Sequence, residues 1–162
     1  DRLMQRHLLL ISFLLFFIFA ATVKADNVGT VDQLPLQDSI DSKTRYATTI
    51  EISKGYLSGI SVLVREADVY RGVLFNEFGI TALEFTYDPQ KKKIKLEQVI
   101  AMLDKWYIRR VLRNDLRCVM ENLMRGISTY KDEKYHISYK FSRIEDKTGG
   151  NTIEGEADGT EE

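Results

Sequence analysis

The 162-residue chain holds little of what covalent chemistry or covalent bracing needs. Its one cysteine, Cys118, leaves no internal disulfide, so the fold rests on packing alone. Of its two histidines, only His136 lies beyond the first 25 residues. One His and one Cys make no metal cluster, and no acidic run has the spacing of a calcium loop. There is no phosphate-cradling glycine loop and no Gly-x-Ser-x-Gly elbow. His136 reads as a surface residue on the polar face of a strand. Glu77, beside Phe78, is a candidate acid near apolar surface and reads as a turn or edge residue instead. No catalytic residue, no metal and no cofactor is assigned, and the chain is expected not to be an enzyme. Nor is there an apolar run of bilayer length. The longest, Leu8 to Ala21, has 14 residues, where a spanning helix needs about 20.

That run has a different meaning. Met4-Gln5-Arg6-His7 precedes it, and Val23-Lys24-Ala25 follows with compact residues ahead of Asp26. The order basic, apolar, small is that of a secretory signal. The expected cut after Ala25 makes 1–25 a signal peptide and leaves 137 residues, one domain in size. The alternative is an uncleaved anchor tethering the chain to the inner membrane. No cysteine follows the run, so no acyl anchor of the bacterial lipoprotein kind is available there.

Charge is unevenly distributed. From Asp26 to Ile144 there are 19 Lys and Arg against 16 Asp and Glu; from Glu145 to Glu162 there are seven acids and one Lys. That last stretch, 145–162, is glycine-rich and almost without apolar residues, and is expected to be a disordered acidic tail. Residues 26–44, polar and containing Pro35, read as an N-terminal linker.

From Arg45 the hydrophobic period is two. Strands are expected over 45–53, 56–66, 69–76 and 81–87, with a short basic one over 91–96 after the Asp88-Pro89-Gln90 turn signal. Short links between consecutive strands require antiparallel pairing. The period then becomes helical. Val99, Ile100 and Leu103 predict one helix led by Glu97. Leu112, Leu116, Val119, Met120 and Leu123 predict a second over about 109–125, stopped by Gly126. Strands return over 127–130 and 135–142. The fold class expected is α+β, a curved antiparallel half-barrel of about 6–8 strands over 45–144, covered by a two-helix lid inserted between strands. Tyr46, Phe75, Phe85, Tyr87, Tyr135, Tyr139 and Phe141 are expected to face inward. Cys118, among Leu116, Val119 and Met120, reads as a buried thiol, or as one able to pair two chains.

Lys105, Arg109, Arg113 and Arg117 recur every four residues along the helical stretch. They form either a solvated face, partly paired with Asp115 and Glu121, or a docking face for an acidic protein or for lipid phosphates. Trp106 and Tyr107 beside them suit a pocket rim, a membrane interface or plain packing onto the sheet. The near-neutral charge and the export signal argue against nucleic acid as a partner.

Leu57-Ser58-Gly59-Ile60-Ser61-Val62-Leu63-Val64, then Gly72-Val73-Leu74-Phe75-Asn76-Glu77-Phe78-Gly79, then Leu83-Glu84-Phe85-Thr86-Tyr87, followed by a helical insertion, form a sequence of elements that is familiar. From Tyr56 to Leu116 the chain resembles the lipoprotein-localisation superfamily, which comprises the periplasmic lipoprotein carrier and the outer-membrane lipoprotein acceptor. The resemblance implies a bacterial, monomeric, non-catalytic protein of the periplasm with an apolar cavity for the acyl chains of lipids or lipoproteins. It also implies an inner-membrane donor and an outer-membrane acceptor as partners. Strand parity places the lipid pocket at Val62, Val64, Val73, Phe75, Leu83, Phe85, Tyr87 and Phe141, with Trp106 at its edge. The alternative reading is a secreted protein-binding module docking through the basic helix face.

Overall fold

A computed structural model describes residues 29–145. The expected signal peptide and, Glu145 apart, the expected acidic tail lie outside the described residues. Five consecutive strands form a meander: β1 (Lys43–Ile52), β2 (Gly55–Arg65), β3 (Tyr70–Asn76), β4 (Thr81–Asp88) and β5 (Lys93–Val99). The one helix among the described residues, α1 (Trp106–Met124), follows. The hairpin β6 (Thr129–Asp132) and β7 (Ile137–Ile144) closes the order. All pairings are antiparallel, as the short links demand, in the order β5-β4-β3-β2-β1-β7-β6.

Strand β7 returns to pair with β1, which leaves β5 and β6 as the two edges. Helix α1 packs against both edge strands. Seven strands laid flat span roughly 30 Å, and a helix is only about 10–12 Å across. One helix touches both edges only because the sheet curls around it, so this is a half-barrel with α1 in its trough. Register shifts between Leu74 and Phe75 and between Glu84 and Phe85 add local twist where the curl is needed.

The expected two-helix lid is corrected to one helix. Glu97, Val99 and their neighbours do not start a helix; they extend β5, with Gln98 opposite Glu84 and Val99 opposite Leu83. Ile100 then donates its amide to the Ala82 carbonyl, and Leu103 buries itself as the anchor of the loop. Sheet pairing supplies those amides with partners, and the 3–4 spacing of Val99, Ile100 and Leu103 comes from their packing onto the core. Helix α1 starts at Trp106, earlier than expected, with no side-chain cap. It stops at Gly126, whose φ of 78° closes the C-terminal turn.

The segment before β1, expected to be a linker, is strapped to the body. The amides of Asp32 and Gln33 donate to the Gly126 carbonyl, and the Leu36 amide donates to the Leu123 carbonyl. Asp32 caps the helix exit by accepting from the Ser128 amide and hydroxyl, which holds its carboxyl below the usual range. Gln33 bridges β7, donating to the Phe141 carbonyl and accepting from the Arg143 amide. Leu36 joins the core.

Candidate functional site

The trough is the concave face of the sheet, lined by Tyr46, Leu63, Leu74, Phe85, Tyr139 and Phe141 among others. The α1 stripe Leu112, Leu116, Val119, Met120 and Leu123 fills it. These side chains are 0–3% exposed. A void wide enough for a water or an acyl chain would leave accessible surface on its walls, so the trough is occupied by the protein's own helix. The packing is close enough that Gly72 has a function: a Cβ there would collide with the Phe85 ring and with Leu63.

The structure divides the expected lipid pocket. Leu83, Phe85, Tyr87 and Phe141 lie in the trough, 1–3% exposed. Val62, Val64, Val73 and Phe75 do not; they are half-buried on the convex face. The register shows why. Thr48 faces Gly59, Tyr46 faces Ser61 and Leu63 faces Gly72, so β2 and β3 turn small residues inward to make room for the rings of their neighbours. Ser61 is polar and inward at no cost, because the Thr48 hydroxyl donates to it at 2.7 Å. Leu63, between the expected Val62 and Val64, is the inward residue. Tyr135 is corrected too, and His136 is at the surface as expected but not on a strand. They belong to the exposed β6–β7 turn, with His136 at a φ of 52°. Trp106 is 77% exposed and lines nothing; its ring meets Tyr107 edge-on at 5.8 Å.

The basic helix face is partly engaged. Arg109 pairs with Asp104 at 2.6 Å, and Arg117 reaches both Asn114 and Glu121. Lys105 and Arg113 are exposed. Cys118 is half-buried beside Tyr130, whose phenol burial pushes upward in pKa.

Sequence reasoning missed the polar cluster where α1 meets β6 and β7. Asp115 is fully buried, and the Tyr139 hydroxyl donates to its Oδ2 at 2.8 Å. Burial pushes the Asp115 carboxyl up to about 7, and the neighbouring Asp132 carboxylate pushes the same way. Burial, then Asp115, pushes the Tyr139 phenol upward as well. Asn122 donates to the Thr129 carbonyl at 2.8 Å, a second bond from helix to hairpin. The clue in the sequence was Asp115 and Asn122 standing on the apolar side of an amphipathic stripe.

A further polar group lies in the trough between β1 and β2. The Tyr46 hydroxyl is buried without a hydrogen-bond partner, and burial raises its pKa to about 12. Arg65 stacks over the Tyr70 ring at 4.8 Å with its Nε 3.1 Å from Asp38, close enough to pair but off the hydrogen-bond line. An open depression of about 680 Å³ beside β1, β6 and β7 is walled by polar residues such as Thr49, Glu51 and Lys140. Among the described residues no group of His, Cys, Asp or Glu is arranged to hold a metal ion, and no helix is long and apolar enough to cross a membrane. No family model, curated protein or solved structure matches this chain.

Proposed function

We propose that this protein is a non-catalytic carrier, working in the periplasm, that takes an acyl chain of a lipid or lipoprotein into the trough in exchange for the apolar stripe of α1. The observation that carries the reading is that one amphipathic helix is the main cover of an aromatic trough whose two edge strands stay unpaired. The exchange is close to balanced. Five buried side chains of α1 contribute about 1.5–3 kcal/mol each, roughly 8–15 in all. An acyl chain of about 15 methylenes contributes about 12 kcal/mol on the same scale. Cargo therefore binds and leaves reversibly. The trough has no spare room, so uptake requires the helix to lift and break the Tyr139–Asp115 and Asn122–Thr129 bonds.

The test is native mass spectrometry with a palmitoylated peptide, run beside hydrogen exchange. One peptide per chain is expected, with faster exchange across 112–124. Failure to take up peptide at saturation, or uptake with the helix amides unchanged, would remove the trough as the site. The other reading, a protein-binding module docking through the basic helix face, has less support because Asp104 and Glu121 already engage two of its four cations.

A further inference from the structure

The exposed aromatic side chains among the described residues gather at one end of the half-barrel, and the register fixes which end; the exposed aliphatics Val31, Leu34 and Ile40 lie on the strap before β1 and Met124 at the helix exit. Gly59 pairs with Asn76, Leu83 with Val99, and Glu51 with Ser138. The β1–β2, β3–β4 and β6–β7 turns and the β5–α1 loop therefore share one rim. The β1–β2 turn carries Tyr56, 72% exposed. Next to it, the β3–β4 turn carries Phe78, 78% exposed, and Ile80. The β5–α1 loop and the first helical turn carry Met102, Trp106 and Tyr107, and the β6–β7 turn carries Tyr135. The two hairpin turns at the opposite end, Glu66-Ala67-Asp68 and Asp88-Pro89-Gln90-Lys91-Lys92, have no large apolar side chain.

Cations interleave with these rings: Lys54, Lys105, Arg110 and Lys134, the last over the Tyr135 ring at 5.1 Å. Two rim acids are already neutralised, Asp104 by Arg109 and Glu133 by Lys131, and Glu51 and Glu77 leave the four cations in excess by two. Separate loop tips bearing Trp, Tyr, Phe, Met and Ile, set among unneutralised cations, do not make a flat surface complementary to a protein. They suit a soft interface with an apolar interior and an anionic skin, which is what bilayer headgroups present.

We propose that this rim docks the protein onto an anionic bilayer surface, with Trp106, Tyr107 and Phe78 entering the headgroup layer and Lys105 and Arg110 meeting lipid phosphates. The inference rests on the carrier reading in one respect: the rim is where the first turns of α1 stand, so docking there would put the end of the trough against the source of cargo. The core cluster of the described residues runs from Leu36 to Phe141, so the expected mature chain from Asp26 is the material to test, free of the Leu8–Ala21 run. Its only tryptophan is Trp106, which reports directly.

With vesicles of phosphatidylcholine containing phosphatidylglycerol, the expected results are co-sedimentation, a blue shift of Trp106 emission and quenching by lipids brominated high on the chain. Pure phosphatidylcholine should bind at least tenfold more weakly. Phe78→Ser, and Lys105→Glu with Arg110→Glu, should each cost about tenfold in partitioning while leaving uptake of the palmitoylated peptide unchanged, since none of these side chains is in the core. Emission unchanged with anionic vesicles would overturn the proposal. So would a rim-dependent dimer in solution, or rim variants that partition like the parent chain. Loss of peptide uptake with vesicle binding intact would count against the trough and leave the rim standing.

Discussion

Replacing Asp115 by Asn should abolish the protein's loss of stability as pH rises. The side chain is fully buried, accepts from Tyr139 at 2.8 Å and has Asp132 beside it. Its carboxyl titrates near 7 in the folded protein, whereas in the unfolded chain it titrates near the ordinary value of about 3.9. Below pH ~4 both states hold the proton. Between about 4 and 7 the unfolded state releases it and the folded state keeps it, so stability falls as pH rises, at up to about 1.4 kcal/mol per unit. Three units give a ceiling of about 4 kcal/mol lost by pH 8, complete once pH passes the folded value. Asp115→Asn removes that slope. The variant should match the parent at pH 4.5 or fall short by about 1 kcal/mol for an imperfect hydrogen bond, and should exceed it at pH 8. Urea unfolding followed by far-ultraviolet circular dichroism at pH 4.5, 6 and 8 measures this, since exposed Trp106 is a poor reporter of unfolding. Carboxyls held low, such as Asp32, give the opposite slope and act only below about pH 4, where their stabilisation is lost. Parent stability that is flat or rising from pH 5 to 7.5, with Asp115→Asn running parallel to it, would refute a buried neutral carboxyl.

Two further perturbations test the strand parity and the helix exit. Leu63→Ala should cost about 2–5 kcal/mol and Val62→Ala well under half of that by urea midpoint, because Leu63 is 1% exposed and Val62 lies on the convex face; equal costs would restore the opposite parity. Gly126→Ala should cost about 1–3 kcal/mol, since the residue sits at a φ of 78° and its Cβ would strike the Gln33 carbonyl oxygen; an unchanged midpoint would mean that the strap before β1 is not held as described.

The antiparallel order, most of the strands and helix α1 were legible because alternation and the 3–4 stripe are local signals. Strand parity on β2 and β3 was not. Apolar count there favours Ile60, Val62, Val64, Val73 and Phe75, yet the trough takes Gly59, Ser61, Leu63 and Gly72. The decision is made across strands: Phe85 occupies the space that a side chain at Gly72 would need. A single strand read alone shows neither that ring nor the Thr48 hydroxyl that satisfies Ser61. The missing first helix has the same origin, since residues 93–99 are claimed by pairing with β4. Strapping of the segment before β1 was equally hidden, because its bonds run to Gly126, Ser128 and Arg143, about a hundred residues away.

The two halves of α1 are held very differently, and this fixes how the trough would open. From Trp106 to Val111 no residue is fully buried; Ile108 packs partly against the core, and Arg109–Asp104 ties the first turns to their own loop. From Leu112 onward the stripe is buried, Asp115 and Asn122 bond to the hairpin, and the carbonyls of Leu123 and Gly126 hold the strap before β1. Lifting the C-terminal half first would break both polar bonds, strand a buried carboxyl and release the strap at once. Lifting the N-terminal half first breaks little until Leu112 leaves the trough. Opening therefore begins at the rim that carries Trp106 and Phe78, and the Tyr139–Asp115 bond is the first strong resistance it meets. Burial keeps Asp115 protonated while the helix is seated, and lifting it into water lets it ionise, so opening should become easier as pH rises from about 4 to about 7 and level off above that. Hydrogen exchange should then show 112–116 losing protection before 119–124, with the gap wider at pH 7 than at pH 5 in the parent and independent of pH in Asp115→Asn.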